Sequence, residues 1–150
     1  METTTTKAFF LGALTAQNPM SFNKAVDEIF VGAPEAKNGK EEILKTEWDK
    51  LSGNLKTEMS TLMKADGLDD IEFLKLAQES MDYYLTGLSL AGTNMETCKN
   101  EELADLLDEM EDVVLDLEEY IQEEKFQASE TKEFKEVVVS LWNDVVETTF

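Results

Sequence analysis

The apolar residues of this chain recur at helical spacing in every long segment, and this spacing constrains the fold more than any other feature. Between Lys40 and Lys64, six apolar residues follow at intervals of three or four and share an arc about 80° wide on a helix. They are Leu44, Trp48, Leu51, Leu55, Met59 and Leu62. The helical spacing of these apolar residues continues without a shift past Gly53. It therefore predicts one long helix over 40–64 rather than two, although a glycine costs a helix about 1 kcal/mol.

Three further segments have the same spacing and predict long amphipathic helices over about 69–91, 100–124 and 130–147. A shorter helix is predicted over about 22–31, before Gly32. Each has, at its start, a side chain suited to cap the free backbone N–H groups of the first turn: Ser21, Asp69 or Asp70, Asn100 and Ser129. The apolar period and the capping residues thus agree on where these helices begin.

The N-terminal run Ala8–Leu14, AFFLGAL, is too short for its periodicity to distinguish a helix from a strand. We predict a short helix over about 7–16, and leave open whether it packs within this chain or against another. The run is preceded by an acidic residue, Glu2, and no small-residue cleavage site follows it, which argues against a signal peptide. No segment reaches the length of about 18 apolar residues that a membrane span requires.

Helical spacing covers every long segment, and none shows the alternation of a half-buried strand. A chain of 150 residues, 42% of them hydrophobic, is long enough to form one domain with a substantial core. The sequence therefore predicts an all-α fold. We expect a single-domain bundle over 1–150, with four long amphipathic helices joined by short connections and preceded by short N-terminal helices.

Acidic residues are unevenly distributed along the chain. The net charge is −20, from 33 acidic residues and 13 lysines. Residues 1–65 contain nine acids and eight lysines, whereas residues 66–150 contain 24 acids and five lysines. The second part would repel nucleic acid and anionic membranes, and it would attract a basic surface. We therefore expect no direct nucleic acid and no membrane as ligand, but a protein partner with a basic, nucleic-acid-binding surface.

Histidine and arginine are absent from the sequence. Without histidine there is no Ser-His or Cys-His pair and no imidazole metal ligand, and without arginine there is no bidentate fork for phosphate. Cys98 is the single cysteine and cannot form an internal disulfide, which suits a reducing compartment. We therefore expect a cytoplasmic protein that is not an enzyme and uses no cofactor.

The segment DGLDDIE, residues 66–72, has carboxylates but lacks the ligand spacing of an EF-hand loop. Carboxylate-bridged di-iron bundles need Glu-x-x-His pairs, which a chain without histidine cannot supply. The segment is interpreted as a turn followed by a helix cap, and we expect no metal site.

The segment from Glu101 to Glu124 contains twelve acidic residues among 24 and no basic one. On a helical projection its apolar residues share an arc about 140° wide, which must face the core. They are Leu103, Leu106, Leu107, Met110, Val113, Val114, Leu117, Tyr120 and Ile121. Opposite them, eight carboxylates form a stripe about 100° wide, called the acidic stripe below. They are Glu101, Asp105, Asp108, Glu109, Asp112, Asp116, Glu119 and Glu123.

Leu115 does not fit this division into two faces. It projects at the margin of the acidic stripe, beside Ala104 and about 60–80° outside the core arc. We expect another segment, around Phe126, to cover it. The alternative is an exposed apolar anchor within a charged surface. Leu115 and the eight carboxylates are the candidate partner-binding residues.

The carboxylates are spaced like the phosphates of one nucleic-acid strand. Twenty-four helical residues extend about 36 Å, so twelve carboxylates fall about 3 Å apart, against about 3.4 Å between phosphates. Small acidic helical proteins that imitate nucleic acid, such as phage-encoded inhibitors of host defence enzymes, have a similar composition, which is an analogy of charge and not of motifs. Asp66, Asp69, Asp70 and Glu72 would extend the field if the fold brings them near.

These features favour a non-enzymatic acidic binding protein, an inhibitor of viral or mobile-element type that imitates DNA and meets a basic surface through the 101–124 face. The first alternative is a structural or assembly-chaperone protein of a phage-like particle, which binds through apolar surfaces or an exchanged N-terminal segment. A carboxylate-dependent enzyme is the third. A face that serves only solubility is the simplest interpretation of the stripe itself.

Overall fold

Helices form all the regular secondary structure in the computed structural model, which describes residues 3–64 and 67–150; no strand is present in these ranges. The all-α fold is therefore confirmed. None of the described helices is long and apolar enough to cross a membrane. The α-helices are α1 (Thr3–Thr15), α2 (Phe22–Ile29), α3 (Glu41–Gly53), α4 (Leu55–Leu62), α5 (Asp70–Leu90), α6 (Glu101–Glu123) and α7 (Ala128–Thr149), with a 3₁₀ turn at Pro34–Lys37.

Helix α1 lies inside the bundle rather than at its edge. Thr5, Thr6 and every residue of 8–13 are buried. The helix packs along α5 and also contacts α3 and α4. The segment predicted over 7–16 is thus a helix that packs within this chain, and the helix begins earlier than predicted, at Thr3.

The contact between α1 and α5 depends on two glycines that face each other, Gly12 and Gly87. A Cβ added to Gly12 would overlap the carbonyl oxygen of Tyr84, and one added to Gly87 would overlap the carbonyl oxygen of Phe9. Both obstacles are backbone atoms of a helix, which cannot move aside as the end of a flexible side chain can. The two backbones approach this closely because neither glycine carries a side chain.

The prediction of one helix over 40–64 is wrong, because the chain breaks between α3 and α4. Asn54 leaves helical geometry, with φ −145° and ψ 41°, and its N–H donates to the Leu51 carbonyl. Glycine is a poor helix former and asparagine competes for backbone hydrogen bonds, so the Gly53–Asn54 pair is a weak point. The break lets α4 contact α7, where Trp142 Nε1 donates to the Met59 carbonyl at 2.7 Å.

The predicted boundaries of α2, α5, α6 and α7 lie within two residues of the observed ones. The predicted caps Ser21, Asp69 and Asn100 each accept a hydrogen bond from a backbone N–H of the first turn. Ser129, however, does not cap α7. That helix begins at Ala128 after Gln127, whose N–H donates to the Tyr120 hydroxyl at 3.1 Å. A tertiary hydrogen bond therefore sets this boundary in place of a local cap.

The long helices enclose one hydrophobic core around α1. Phe10 of α1 meets Trp48 of α3 edge to face at 4.9 Å between ring centroids, and Tyr84 of α5 meets Trp142 of α7 at 5.0 Å. Edge-to-face contacts of this kind add to the energy of burial. Helix α6 packs against α5 on one side and α7 on the other, so its remaining side faces solvent.

Replacing Gly12 by alanine should destabilise the protein by about 3 kcal/mol, the upper end of ordinary overpacking, because backbone atoms of α5 block the added methyl group. Gly53→Ala is the matched control. No atom lies within 4 Å of a Cβ added at Gly53, and alanine favours a helix by about 1 kcal/mol. Urea denaturation followed by circular dichroism measures both variants. Equal unfolding midpoints would contradict a fold that depends on the glycine contact.

Candidate functional site

Helix α6 forms despite the mutual repulsion of its carboxylates. Asn100 Oδ1 accepts a hydrogen bond from Leu103 N at 3.2 Å, and Glu101 and Glu102 lie in the first turn, where the helix dipole favours negative charge. The last turn has no basic residue. Like charges four residues apart destabilise a helix by about 0.2–0.5 kcal/mol per pair. Helix α6 therefore depends on its packing for stability.

The predicted apolar face of α6 does supply that packing. Six of its residues are buried, and the other three, near the two ends, are half-buried. The buried residues are Leu107, Met110, Val113, Val114, Leu117 and Tyr120. Burying a Leu, Val or Met side chain contributes about 1.5–3 kcal/mol, so the apolar face outweighs the repulsion between the carboxylates.

All eight carboxylates of the acidic stripe are exposed. The ion pairs found among the described residues join lysines to Asp27, Asp49, Glu58 and Asp70, and none involves a residue of α6. With 23 residues, α6 extends about 35 Å at 1.5 Å per residue. The stripe is thus a long negative surface that no described lysine neutralises by direct contact.

Leu115 is exposed, so the prediction that another segment covers it is wrong. Its side chain retains 62% of its accessible surface. Phe126 packs instead on Tyr120, with ring centroids 5.5 Å apart. Tyr120 lies about 140° around the helix from Leu115 at 100° per residue, on the side that faces α7. The chain therefore leaves α6 toward α7, away from Leu115.

A groove between α5 and α6 lies beside Leu115 and is called the α5–α6 groove below. It has a volume of about 450 Å³ and combines apolar side chains with two carboxylates and two hydroxyls. Its lining residues are Asp82, Leu85, Thr86, Ser89, Leu90, Glu111, Val114 and Leu115. The sequence did not predict this groove, because a projection of α6 alone does not show which residues of α5 lie beside it.

Asp82 at this groove adds negative charge from α5 to that of α6. The pKa of Asp82 is raised above its usual range, first because packing removes part of its hydration and second because the Glu118 carboxylate repels it. The only sequence signal for Asp82 was its acidic character on the outer side of α5. Its pairing with Glu118 is a tertiary feature.

A second groove, between α6 and α7, extends the negative surface on the other side of α6. Its volume is about 270 Å³, and it is called the α6–α7 groove below. Exposed Glu130 and Glu133 of α7 line it together with Asp116 of the acidic stripe. The negative surface thus continues from α5 across α6 to α7, and its α5 and α7 members were missed by sequence reasoning.

The acids of 66–72 do not all contribute to this surface. Asp66 lies outside the described residues. Asp69 caps α5, where its Oδ1 accepts a hydrogen bond from Glu72 N at 2.8 Å. Asp70 pairs with Lys135 of α7 at 3.0 Å. Asp69 and Asp70 therefore have local structural partners.

The other chemical features of the described part of the chain are its potential metal ligands and its cysteine. There, no group of three or more Cys, Asp or Glu residues is placed to hold a metal ion. Cys98 is half-buried, and its Sγ lies 3.5 Å from the Asn100 carbonyl oxygen. The described geometry thus offers a charged surface with shallow grooves, two of which border α6.

Comparisons with protein families, with curated protein sequences and with solved structures found no match to this chain.

Replacing Glu118 by glutamine should lower the pKa of Asp82, because one of the two causes of its elevation is removed. The pKa should stay above its usual range, since the larger cause, burial, remains. A raised pKa in the folded state means that protonation of Asp82 favours folding. The charged Asp82 carboxylate therefore lowers the stability of the protein as the pH rises through the raised pKa of Asp82. Glu118→Gln should reduce this loss of stability.

Carbon-detected NMR titration of the Asp82 carboxyl group measures this shift. Glu119→Gln is the matched control, because it removes the same charge from the adjacent position, which lies on the acidic stripe about 100° around the helix from Glu118. Equal shifts in both variants would contradict a local interaction between Asp82 and Glu118.

Proposed function

We propose that this protein is a non-enzymatic acidic binding protein that occupies a basic, nucleic-acid-binding surface of another protein through the outer face of α6. The acidic stripe supplies the contact, and carboxylates take the positions that phosphates occupy in the partner's nucleic-acid complex. Its class is that of an inhibitor that imitates nucleic acid.

The observation that carries the proposal is the unpaired state of the acidic stripe. Lysines elsewhere in the chain do form ion pairs, such as Lys7 with Glu58 at 2.6 Å and Lys37 with Asp27 at 3.1 Å. In the described residues none pairs with α6. Eight exposed carboxylates on one helix are therefore available to a cation of another molecule.

The dimensions of the surface support a partner that binds phosphate rows. When the flanking acids are counted with the acidic stripe, the carboxylates along the helix axis follow at about the spacing of phosphates in one strand, roughly 3 Å against 3.4 Å. Asp82 on one side and Glu130 and Glu133 on the other broaden the charge beyond a single row. A protein groove that accepts a phosphate backbone would meet charge along its length and across its width.

Charge of this magnitude also determines how such a complex forms. Long-range attraction raises association rates, and salt weakens the attraction because the screening length is about 8 Å at physiological ionic strength. Binding should therefore be fast at low salt and should weaken steadily as salt is added.

An assembly role with an exchanged N-terminal segment is less well supported, because α1 would have to leave the core. Phe10 and Leu11 are completely buried, and Gly12 is in backbone contact with α5. Removing such a helix from the bundle would expose a large apolar surface to water.

Reversal of four stripe residues to lysine tests the proposal. The variant Asp105→Lys, Asp112→Lys, Asp116→Lys, Glu119→Lys should lose at least about tenfold in affinity, or about 1.4 kcal/mol, for a partner captured from the source cells at low salt. Wild-type protein should also compete with DNA or RNA for that partner. The matched control reverses four exposed acids of the first part of the chain: Glu35, Glu41, Glu42 and Asp49.

Both variants have the same net charge, −12 instead of −20, because each reversal adds two charges. Circular dichroism establishes that each still folds. The proposal fails if the stripe variant competes with nucleic acid as well as the wild type does, or if both variants lose affinity equally.

A further inference from the structure

We propose that the α5–α6 groove is the apolar part of this binding surface, and that it holds one face of a basic amphipathic helix of the partner. An apolar side chain of that helix would sit between Leu90 and Leu115, with lysine or arginine side chains against Asp82 and Glu111. This inference rests on the proposed function and specifies which chemistry of the partner meets α6.

Exposed leucines on the two facing helices are the first observation. Leu115 of α6 is 62% exposed and Leu90 of α5 is 41% exposed, and both line the same groove above the less exposed Leu85 and buried Val114. Two leucines at one groove form a contiguous apolar patch. Leu115 is the single strongly exposed apolar residue among the described residues of α6.

Charge around the patch identifies the occupant as basic. Asp82 and Glu111 line the groove together with the leucines, and Glu118 lies close enough to Asp82 to repel its carboxylate. No described lysine forms an ion pair with any of these three acids. Packing removes hydration from the Asp82 carboxylate and Glu118 repels it, so its charged form is poorly compensated in the free protein. A cation from a partner would supply the missing compensation.

The shape of the groove favours a helix over a small molecule or a second copy of this chain. The groove is open to solvent between two packed helices, the arrangement in which one apolar helix face is commonly received. A small ligand there would keep much of its surface in water, whereas ligand sites usually enclose most of the ligand. A second copy would bring an equally acidic α6 against this one, and the two would repel each other.

Two synthetic helical peptides of about 18 residues, or five turns, test the proposal on the full chain. One has leucines at every third or fourth position and lysines elsewhere. The other has alanine in place of each leucine and the same lysines. Wild-type protein should bind the leucine peptide at least about tenfold more tightly than the alanine peptide, measured by isothermal titration calorimetry.

The double variant Leu90→Gln, Leu115→Gln should reduce affinity for the leucine peptide about tenfold and leave affinity for the alanine peptide unchanged. Ile43→Gln is the matched control, because Ile43 is an equally apolar side chain, 73% exposed on α3, outside the groove. Both changes are at exposed positions, and circular dichroism establishes the fold. Unchanged affinity of the double variant for the leucine peptide would overturn the proposal.

The stripe variant described above separates this inference from the proposed function. If the stripe variant loses affinity for both peptides while the double leucine variant loses affinity for neither, the proposed role of the α5–α6 groove is wrong and the proposed function stands. If the stripe variant keeps its affinity for both peptides while the double leucine variant loses affinity for the leucine peptide, the proposed function is wrong and the role of the groove stands. Self-association of the wild type that disappears in the leucine variant, measured by sedimentation, would identify a second copy as the occupant and overturn the proposal.

Discussion

The backbone contact between Gly12 and Gly87 determines how the other helices are arranged. It allows α1, a helix of 13 residues, to lie against α5 inside the bundle, where its side chains reach α3 and α4 as well. Because α1 supplies much of the core from within, the surrounding amphipathic helices each bury one face. Helix α6 is held on two sides by α5 and α7, and its outer side is free to carry charge without a structural partner.

Lysines of the first part of the chain have a different role from the acids of the second. Lys7 on α1 pairs with Glu58 on α4 at 2.6 Å, and its hydrogen bond lowers the pKa of that carboxyl group below its usual range. The pair joins two helices at the core edge, and Lys50 lies 3.9 Å from the same carboxylate. Four of the eight lysines of 1–65 thus form ion pairs with acids of the same part of the chain. Eight of the 24 acids in 66–150 lie on the acidic stripe, where none of them forms an ion pair with a described lysine.

Local signals predicted most of the fold, and tertiary contacts account for what they missed. The bounds of α5 and α6 follow from apolar period and capping residues, which are properties of each segment alone. The break at Asn54 depends on what α4 gains by contacting α7, and the start of α7 depends on the hydrogen bond between Gln127 and Tyr120. For the site, the projection of α6 separated its two faces correctly. The projection did not reveal Asp82, Glu130 or Glu133, because these acids belong to α5 and α7 and lie beside α6 only through helix packing.

An acidic face that served only solubility would not need this arrangement. A net charge of magnitude about 2–8 is enough to keep a small domain soluble, and charges of both signs spread over the surface avoid repulsion along one helix. Here the charge is −20, and the described stripe contains no lysine that would relieve it. An exposed leucine among carboxylates would work against solubility. For binding it is an advantage, because salt screens an exposed charge pair but does not screen an apolar contact, so Leu115 would hold a partner that the carboxylates attract.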